Sequence, residues 1–252
     1  FGHREKGHRI AIEKKRVRVP REIRGQAKTG QTQTGFRRRQ KSMMENAIAW
    51  IFIFPLFGAV ACALVGMRQS KLCYPISGLS MLGATWAGAE TLMQAVQSPV
   101  HEVSYVLGGW TLDAFPRGVG IEFRADQLGA LITLVVLGVG LIVSLYSKLP
   151  VREETPGKEP LFYVLFLLQI TGLAGICLTG DAFNLYVLIE VAALTGYGLI
   201  AMGTNRAAAA TFNYLILGTI GASLYLLGVG YLYIKTGTLN MVGVQEVIQA
   251  NG

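Results

Sequence analysis

Long apolar runs separated by short polar segments dominate this chain. Six such runs can be drawn, at 47–67, 72–96, 128–146, 161–179, 183–202 and 212–234. A helix of about 20 residues crosses a hydrocarbon core about 30 Å thick. Backbone polar groups in lipid must find internal partners, so these runs are predicted to be helices rather than strands. The pattern predicts an all-α polytopic membrane protein with about six transmembrane helices.

Two polar segments interrupt the apolar pattern. In residues 98–126, the strand-forming stretches EVSYVL and VGIEF flank a region that contains the turn formers Gly108, Gly109, Pro116 and Gly118. This arrangement predicts a short β-hairpin between helices 2 and 3. Residues 148–160 are rich in charge and Pro, and are predicted to form a charged surface loop.

Composition agrees with a membrane protein and separates a basic tail from it. The chain is 52% hydrophobic and only 15% charged, against about 25% charged in soluble domains. Its net charge of +8 is concentrated in residues 1–45, which hold 14 Lys or Arg and 4 Glu. Residues 1–42 have too few apolar side chains to form a core and are expected to be disordered. We therefore divide the chain into this tail and a transmembrane domain at 43–252; the tail is either a native extension, a fusion or a mis-set start.

Positive charges in the loops bear on orientation. The loops on the side opposite the tail carry six cations, and those on the tail's side carry three: Arg68, Lys71, Lys148, Arg152, Lys158 and Arg206, against Arg117, Arg124 and Lys235. Short loops are the better guide, so the hairpin and the start of the first helix are expected outside the cytoplasm. The tail cations favour the reverse.

Glu190 is the one charged residue within the run 183–202. At 1.5 Å per residue it lies roughly 13 Å from Asp181, near the middle of the membrane. A carboxylate there costs at least ~2.5 kcal/mol unless it meets a partner or a wet cavity. We therefore expect Glu190 to carry protons; the alternative is a structural carboxylate held by a Tyr or Ser. Tyr186 and Tyr197 share its helix face and are expected to orient it or to hold water.

The other polar residues have plainer interpretations. Asp181 is expected to cap the helix that contains Glu190, or to interact with its dipole. Asn213, early in the last run, is typical of helix–helix contacts. Glu90 lies late in the second run, where an interfacial position is favoured over a cavity. His101 is favoured as a surface residue over a proton shuttle.

Enzyme chemistry has no support in the sequence. Phosphate-binding, dinucleotide-binding, zinc-protease and nucleophile-elbow motifs are all lacking. Cys62, Cys73 and Cys177 have no metal-ligand spacing and are expected to behave as small hydrophobic residues. We predict no cofactor, no metal site and no catalytic chemistry of its own.

Four collinear stretches carry a family resemblance. In them the chain resembles the antiporter-like membrane subunits shared by Mrp-type cation/proton antiporters, membrane-bound hydrogenases and respiratory complex I, and it looks most like the D-type Mrp subunits. The stretches are WIFIFPLFGAV (50–60), YVLGGWTLDAFPRGVGIEFRADQLGAL (105–131), GDAFNLYVLIEVAALTGYGLIA (180–201) and FNYLILGTIGASLYLLGVGYLYIKTGTLNM (212–241). The resemblance extends over about residues 44–249 and corresponds to the N-terminal half of the family.

The resemblance implies a role for Glu190. It would be the proton-carrying glutamate of the family's fifth helix, which pairs with a lysine on a broken seventh helix along a wet central axis. Many relatives also carry a lysine in the sixth helix before a Tyr, where this chain has Asn213 before Tyr214. An amide forms hydrogen bonds but holds no charge. The seventh-helix lysine belongs to the family's second half, which we expect another polypeptide segment or subunit to supply.

The leading hypothesis is an ion-translocating membrane subunit of a multisubunit cation/proton antiporter, which moves protons, with sodium as the candidate coupled ion. One alternative is a proton-pumping subunit of a redox-driven complex, either complex I-like or a membrane-bound hydrogenase. The other is a non-conducting scaffold subunit. Expected partners are other membrane subunits of the same complex, the lipid bilayer, protons and the candidate sodium ion, but no nucleic acid. The expected location is the cell (inner) membrane, with multiple passes.

Overall fold

The computed structural model describes residues 47–107 and 121–251. Within these ranges the chain forms eight helices, a 3-10 turn at Ser70–Leu72 and one two-stranded antiparallel sheet. The elements are α1 Ala47–Gly66, then α2 Cys73–Gln97, β1 Glu102–Val106, β2 Glu122–Asp126, α3 Gln127–Tyr146, α4 Lys148–Glu154, α5 Glu159–Leu178, α6 Ala182–Ala201, α7 Ala207–Thr236 and α8 Met241–Asn251. The predicted helical membrane fold with a short hairpin is confirmed.

Five of the described helices are long and apolar enough to cross a membrane: α1, α3, α5, α6 and α7. The second predicted span, α2, has 25 residues but falls outside this set. Polar residues such as Ser77, Ser80 and Glu90 make it less apolar. It nevertheless packs along α3, where Ser77 Oγ lies 3.0 Å from Ser144 Oγ. Five predicted spans are thus supported by length and hydropathy, and the sixth is a helix of sufficient length.

The core lies along α5, which packs against α2, α3 and α6. Half of the most apolar 18-residue stretch of α5 is buried inside the protein, a larger share than in any of the other four candidate membrane spans. Leu167 and Leu178 are fully buried, and Gly172 allows α6 to approach closely. A Cβ added at Gly172 would lie 2.9 Å from the backbone nitrogen of Ala192. Close packing of small residues is a main source of helix association in lipid, where apolar burial alone gives little driving force.

The hairpin follows the predicted position. β1 and β2 pair antiparallel, with Glu102 opposite Asp126 and Val106 opposite Glu122. The second strand begins at Glu122, slightly later than VGIEF predicted, and Asp126 at its end caps α3 by accepting a hydrogen bond from Gly129 N at 2.7 Å. The predicted turn formers Gly108, Gly109, Pro116 and Gly118 lie outside the described residues.

The hairpin also joins two helix connections at the same end of the bundle. Gly180 N donates to Glu122 O at 2.8 Å, and Met241 N donates to Gly180 O at 2.9 Å. The Asn240 side chain donates to Glu122 Oε2 at 2.6 Å. We call this arrangement the three-segment junction; its segments are 122–123, 179–182 and 239–241. It ties the start of α6 to the hairpin and to the segment after α7.

Two parts of the chain differ from the predictions. The prediction of a charged surface loop at 148–160 is wrong for the first half of that segment, because residues 148–154 form α4. Val151 is the reason: it is buried, and its helix places the charged neighbours outward. After α7, the unpredicted helix α8 begins where Asn240 Oδ1 accepts hydrogen bonds from Val242 N and Gly243 N. The predicted basic tail at 1–42 lies outside the described residues.

Candidate functional site at Glu190

Glu190 lies in the middle part of α6. It is the ninth of 20 residues in this helix, about 12 Å from the first. The side chain is half-buried, and it forms no hydrogen bond or ion pair with any described residue. Within residues 182–234, which cover α6 and nearly all of α7, Arg206 is the single cation, and it lies between the two helices. Glu190 is therefore an acid without a counter-charge in this part of the bundle.

The two faces of α6 have different surroundings. Ala192 and Leu188 each lie about 160° around the helix from Glu190. They pack on Gly172 and Gly175 of α5, which have no side chains to hold the helices apart. The packed face is thus the one opposite Glu190, and the carboxylate points away from the core.

Tyr197 shares the face of Glu190, because it lies two helical turns later. Its side chain is 7% exposed, and its ring meets that of Tyr214 on α7 edge to face, with 5.0 Å between the centroids. Its hydroxyl occupies the space above Gly218 of α7, where any Cβ would overlap it. The Tyr197 phenol is within electrostatic range of Glu190, and its hydroxyl has no hydrogen bond to the described residues. The face that carries Glu190 is therefore the one beside α7.

Two contacts between α6 and α7 lie on either side of Glu190 along the chain. Gly218 and Tyr225 lie on the face of α7 that meets α6, whereas Gly221 between them is exposed. Tyr225 Oη donates to Ala182 O at 3.0 Å, which closes the helix pair at one end. A Cβ added at Gly221 would meet no atom within 4 Å. Glu190 lies between these two contacts along α6, on the same side of the helix as Tyr197.

Two predicted site residues lie apart from this arrangement. Tyr186 is half-buried one turn before Glu190, and its ring lies 6.1 Å from that of Phe183 without a hydrogen bond to the acid. Asn213 is exposed and forms no hydrogen bond with the described residues. It precedes Tyr214 by one position, so it points about 100° away from the face that meets α6. The structure brings Tyr197 to the face of Glu190 beside α7, and it does not bring Asn213 there.

A polar contact that sequence reasoning missed lies on the packed face of α6. Thr195 Oγ1 donates to Gln169 Oε1 of α5 at 2.8 Å. Gln169 is a polar residue inside the span Glu159–Leu178, and this was the available signal. It lies on the side away from Glu190, and it fixes α5 against α6.

The structure also shows the surroundings of Asp181 and His101, two polar residues outside the Glu190 site. Asp181 is confirmed as the cap of α6, since its Oδ1 accepts from Asn184 N at 2.7 Å. Burial raises the pKa of Asp181, while backbone hydrogen bonds from Asn184 and Phe183 oppose that rise. His101 Nδ1 lies 2.9 Å from Gln127 Nε2 near the hairpin, and both residues are exposed.

Metal-ligating clusters of three or more His, Cys, Asp or Glu do not occur among the described residues. Cys62 and Cys73 are buried and each contacts the backbone carbonyl of the other at 3.6 Å, which is a packing role. These side chains show nothing that would hold a cofactor.

Several known proteins are similar to this chain in sequence. The chain is 40% identical over 202 residues to the N-type subunit of NADH-quinone oxidoreductase from Desulforudis audaxviator (strain MP104C), covering 79% of this chain and 38% of that protein. It is 33% identical over 216 residues to the D-type subunit of a Na(+)/H(+) antiporter from Bacillus subtilis (strain 168), covering 83% of this chain and 41% of that protein. The chain is a homologue of the antiporter-like membrane subunits. No family model matches it.

A solved structure extends this relationship to the fold. The antiporter-like chain superposes with a TM-score of 0.70 and 30% identity on a chain of the membrane-bound sulfane sulfur reductase, an archaeal respiratory membrane complex, covering 78% of this chain and 39% of that one. The chain thus spans about two fifths of the length of its relatives, in agreement with the predicted correspondence to an N-terminal half. The predicted family and the multi-pass location in the cell membrane are confirmed.

Proposed function

We propose that this chain moves protons across the membrane as one subunit of a multisubunit cation/proton antiporter, with Glu190 as the proton carrier. The observation that carries the proposal is the position of this carboxylate: mid-helix in α6, turned away from the face that packs on α5 and on the same side as Tyr197. A buried acid without a counter-ion is costly, and protonation removes the cost.

The proposed cycle uses the side chains around Glu190. The carboxylate takes a proton that solvent delivers through a water near the acid, so that the water is re-protonated as it passes the proton on, and Tyr197 donates a hydrogen bond to that water or to the acid. A cation brought near the acid then favours the charged form, and the proton leaves. We propose that a membrane segment or subunit other than the described residues supplies this cation, as the sequence resemblance implies. Asn213, which cannot be charged and points elsewhere, does not take that role.

The test is the variant Glu190→Gln in the assembled complex. Gln has the same shape but cannot ionise, so cation-driven proton movement in proteoliposomes should be lost while assembly remains. Glu154→Gln on the exposed turn of α4 is the matched control and should leave the rate unchanged. Full activity of Glu190→Gln in a properly assembled complex would contradict the proposal and leave a scaffold subunit as the better description.

Sodium as the coupled ion is part of the proposal and has its own measurement. The relative in Bacillus subtilis is named as part of a Na(+)/H(+) antiporter. Addition of sodium to acid-loaded proteoliposomes should release protons, and an equal concentration of potassium should release far fewer. An equal response to both ions would remove sodium selectivity without affecting Glu190.

A second candidate is a proton-pumping subunit of a redox-driven complex. It is favoured by the 40% identity to a NADH-quinone oxidoreductase subunit and by the fold shared with a respiratory membrane complex. Purification from the native membrane separates the two. Co-purifying iron–sulfur subunits, with proton movement driven by an electron donor, would select the redox-driven complex.

A further inference from the structure

A second carboxylate lies in a helix of this bundle, on α2. Glu90 precedes the end of α2 at Gln97 by seven residues, or about 10 Å. Thr85 Oγ1 contacts Leu137 O of α3, and a Cβ added at Gly88 would also meet the Leu137 side chain, so this part of α2 lies along the membrane-spanning part of α3. Glu90 is half-buried there, toward the hairpin end of the bundle.

Its partner, Gln94, has a polar atom that nothing else described satisfies. Gln94 is 5% exposed, and its Nε2 donates to Glu90 Oε1 at 3.0 Å. Among the described residues, Gln94 Oε1 is the only buried side-chain nitrogen or oxygen without a hydrogen bond. Leaving such an atom buried without a partner is unfavourable unless a water or ion meets it. Turning the amide over does not help, because the carbonyl would then face Glu90 and the NH₂ group would lack an acceptor.

Charged groups near this end of α2 are already engaged. On the hairpin, Arg124 is bound by Glu102 through two contacts of 2.7 Å. The other acids and the histidine near this end also have partners: Glu122 with Asn240, Asp126 with Gly129 N, and His101 with Gln127. Tyr105 on β1 and Cys177 on α5 are the remaining titratable groups on the elements that pack here. Within residues 127–145, α3 carries no charged side chain. Gln94 is therefore the one described partner of Glu90.

We propose that Glu90 and Gln94 bind a water molecule and form a second proton-binding site, one to two turns inside the hairpin end of α2. The water donates one hydrogen to Gln94 Oε1, which removes the unsatisfied acceptor. Gln94 Nε2 donates to Glu90 Oε1 in both protonation states. The other carboxylate oxygen, Oε2, takes a proton from the water, and solvent supplies a new proton to that water. In the protonated state the carboxylic acid donates a hydrogen bond from Oε2 to the same water. This site is independent of Glu190 and of its proposed role.

Infrared difference spectroscopy of the assembled complex, between alkaline and acidic buffer, tests the site directly. The wild-type complex should show a carboxylic-acid C=O band that is lost in Glu90→Gln. It should also show a bound-water O–H band that shifts in H₂¹⁸O and is lost in Gln94→Met. Gln97→Met on the exposed side of the same helix and Glu154→Gln on α4 are matched controls and should keep both bands.

The possible results are separable. Retention of the carboxylic-acid band in Glu90→Gln, or of the H₂¹⁸O-sensitive band in Gln94→Met, would overturn the proposal. If Gln94→Met fails to assemble, Glu90→Gln still decides the proton-binding part through its C=O band. Transport lost or retained in Glu190→Gln does not bear on these bands, so failure of the proposed function and failure of this site can be told apart.

Discussion

The ring of Tyr197 on α6 meets the ring of Tyr214 on α7 edge to face, with 5.0 Å between centroids and 81° between planes. Such a pair contributes about 0.5–1.5 kcal/mol beyond the area it buries. The contact holds α7 against the face of α6 that carries Glu190, rather than against the face that packs on α5. It therefore helps to fix the distance between α7 and the side of α6 that carries Glu190.

Gly218 and Gly221 provide a matched pair for testing that geometry. Gly218→Ala places a methyl group where the Tyr197 hydroxyl lies, so either the ring must move or the helices must separate; we expect a loss of about 1–3 kcal/mol of stability. Gly221→Ala meets open space and should be tolerated. Thermal unfolding of the assembled complex measures both. Equal melting temperatures for the two variants would show that Tyr197 does not occupy this position.

Removal of the Tyr197 hydroxyl should affect transport more than stability. Tyr197→Phe keeps the ring contact with Tyr214 but removes the hydroxyl donor on the side of α6 that carries Glu190, so we expect normal assembly and a proton-transport rate lower by about tenfold, the equivalent of about 1.4 kcal/mol. Tyr186→Phe, whose hydroxyl makes no described contact with the acid, should have a much smaller effect. Proteoliposome rates decide between them, and the reverse order would assign the orienting role to Tyr186.

The sequence was sufficient for most of the fold because the bilayer imposes a simple rule. An apolar run that spans lipid must be a helix, and runs of that length end where polar residues begin. Asp181 illustrates this: the first polar residue before its apolar run became the predicted cap. The strand-forming residues around Tyr105 and Phe123 were equally local signals, and they form the predicted hairpin.

Tertiary contacts account for what the sequence did not predict. Whether Asn213 faces Glu190 depends on the rotation of α7, which no local pattern determines. The cap of α8 by Asn240 depends on a segment drawn toward the hairpin by Glu122, 118 positions earlier. The unsatisfied amide of Gln94 is likewise invisible in sequence, because it depends on what surrounds the side chain.

Asp181 allows a prediction about stability and pH. Asp181→Ala removes the cap of α6 and should cost about 1 kcal/mol. Asp181→Asn keeps a capping oxygen and removes the buried charge. Burial raises the pKa of Asp181 above its ordinary value. The wild-type protein therefore loses stability as pH rises from the ordinary pKa of an aspartate to the raised pKa of the folded state.

The pH dependence of the two variants can be checked by thermal unfolding. Asp181→Asn should gain stability relative to wild type at alkaline pH, and the gain should shrink as acid protonates the aspartate. Asp181→Ala removes the same charge together with the cap, so its deficit relative to wild type should be largest in acid and smaller at alkaline pH. A pH-independent difference between Asn and wild type would contradict the assigned effect of burial.

The three-segment junction should be sensitive to charge at position 240. Asn240→Ala loses both the bond to Glu122 and the cap of α8, so a loss of about 1–2 kcal/mol is expected. Asn240→Asp keeps the cap but sets two carboxylates side by side, in place of a donor at 2.6 Å. Like charges at that distance repel, and protonation of one relieves the repulsion. Asn240→Asp should therefore be less stable than Asn240→Ala at neutral pH and recover in acid, whereas Asn240→Ala should not; if neither variant responds to pH, Glu122 does not face residue 240 in the folded protein.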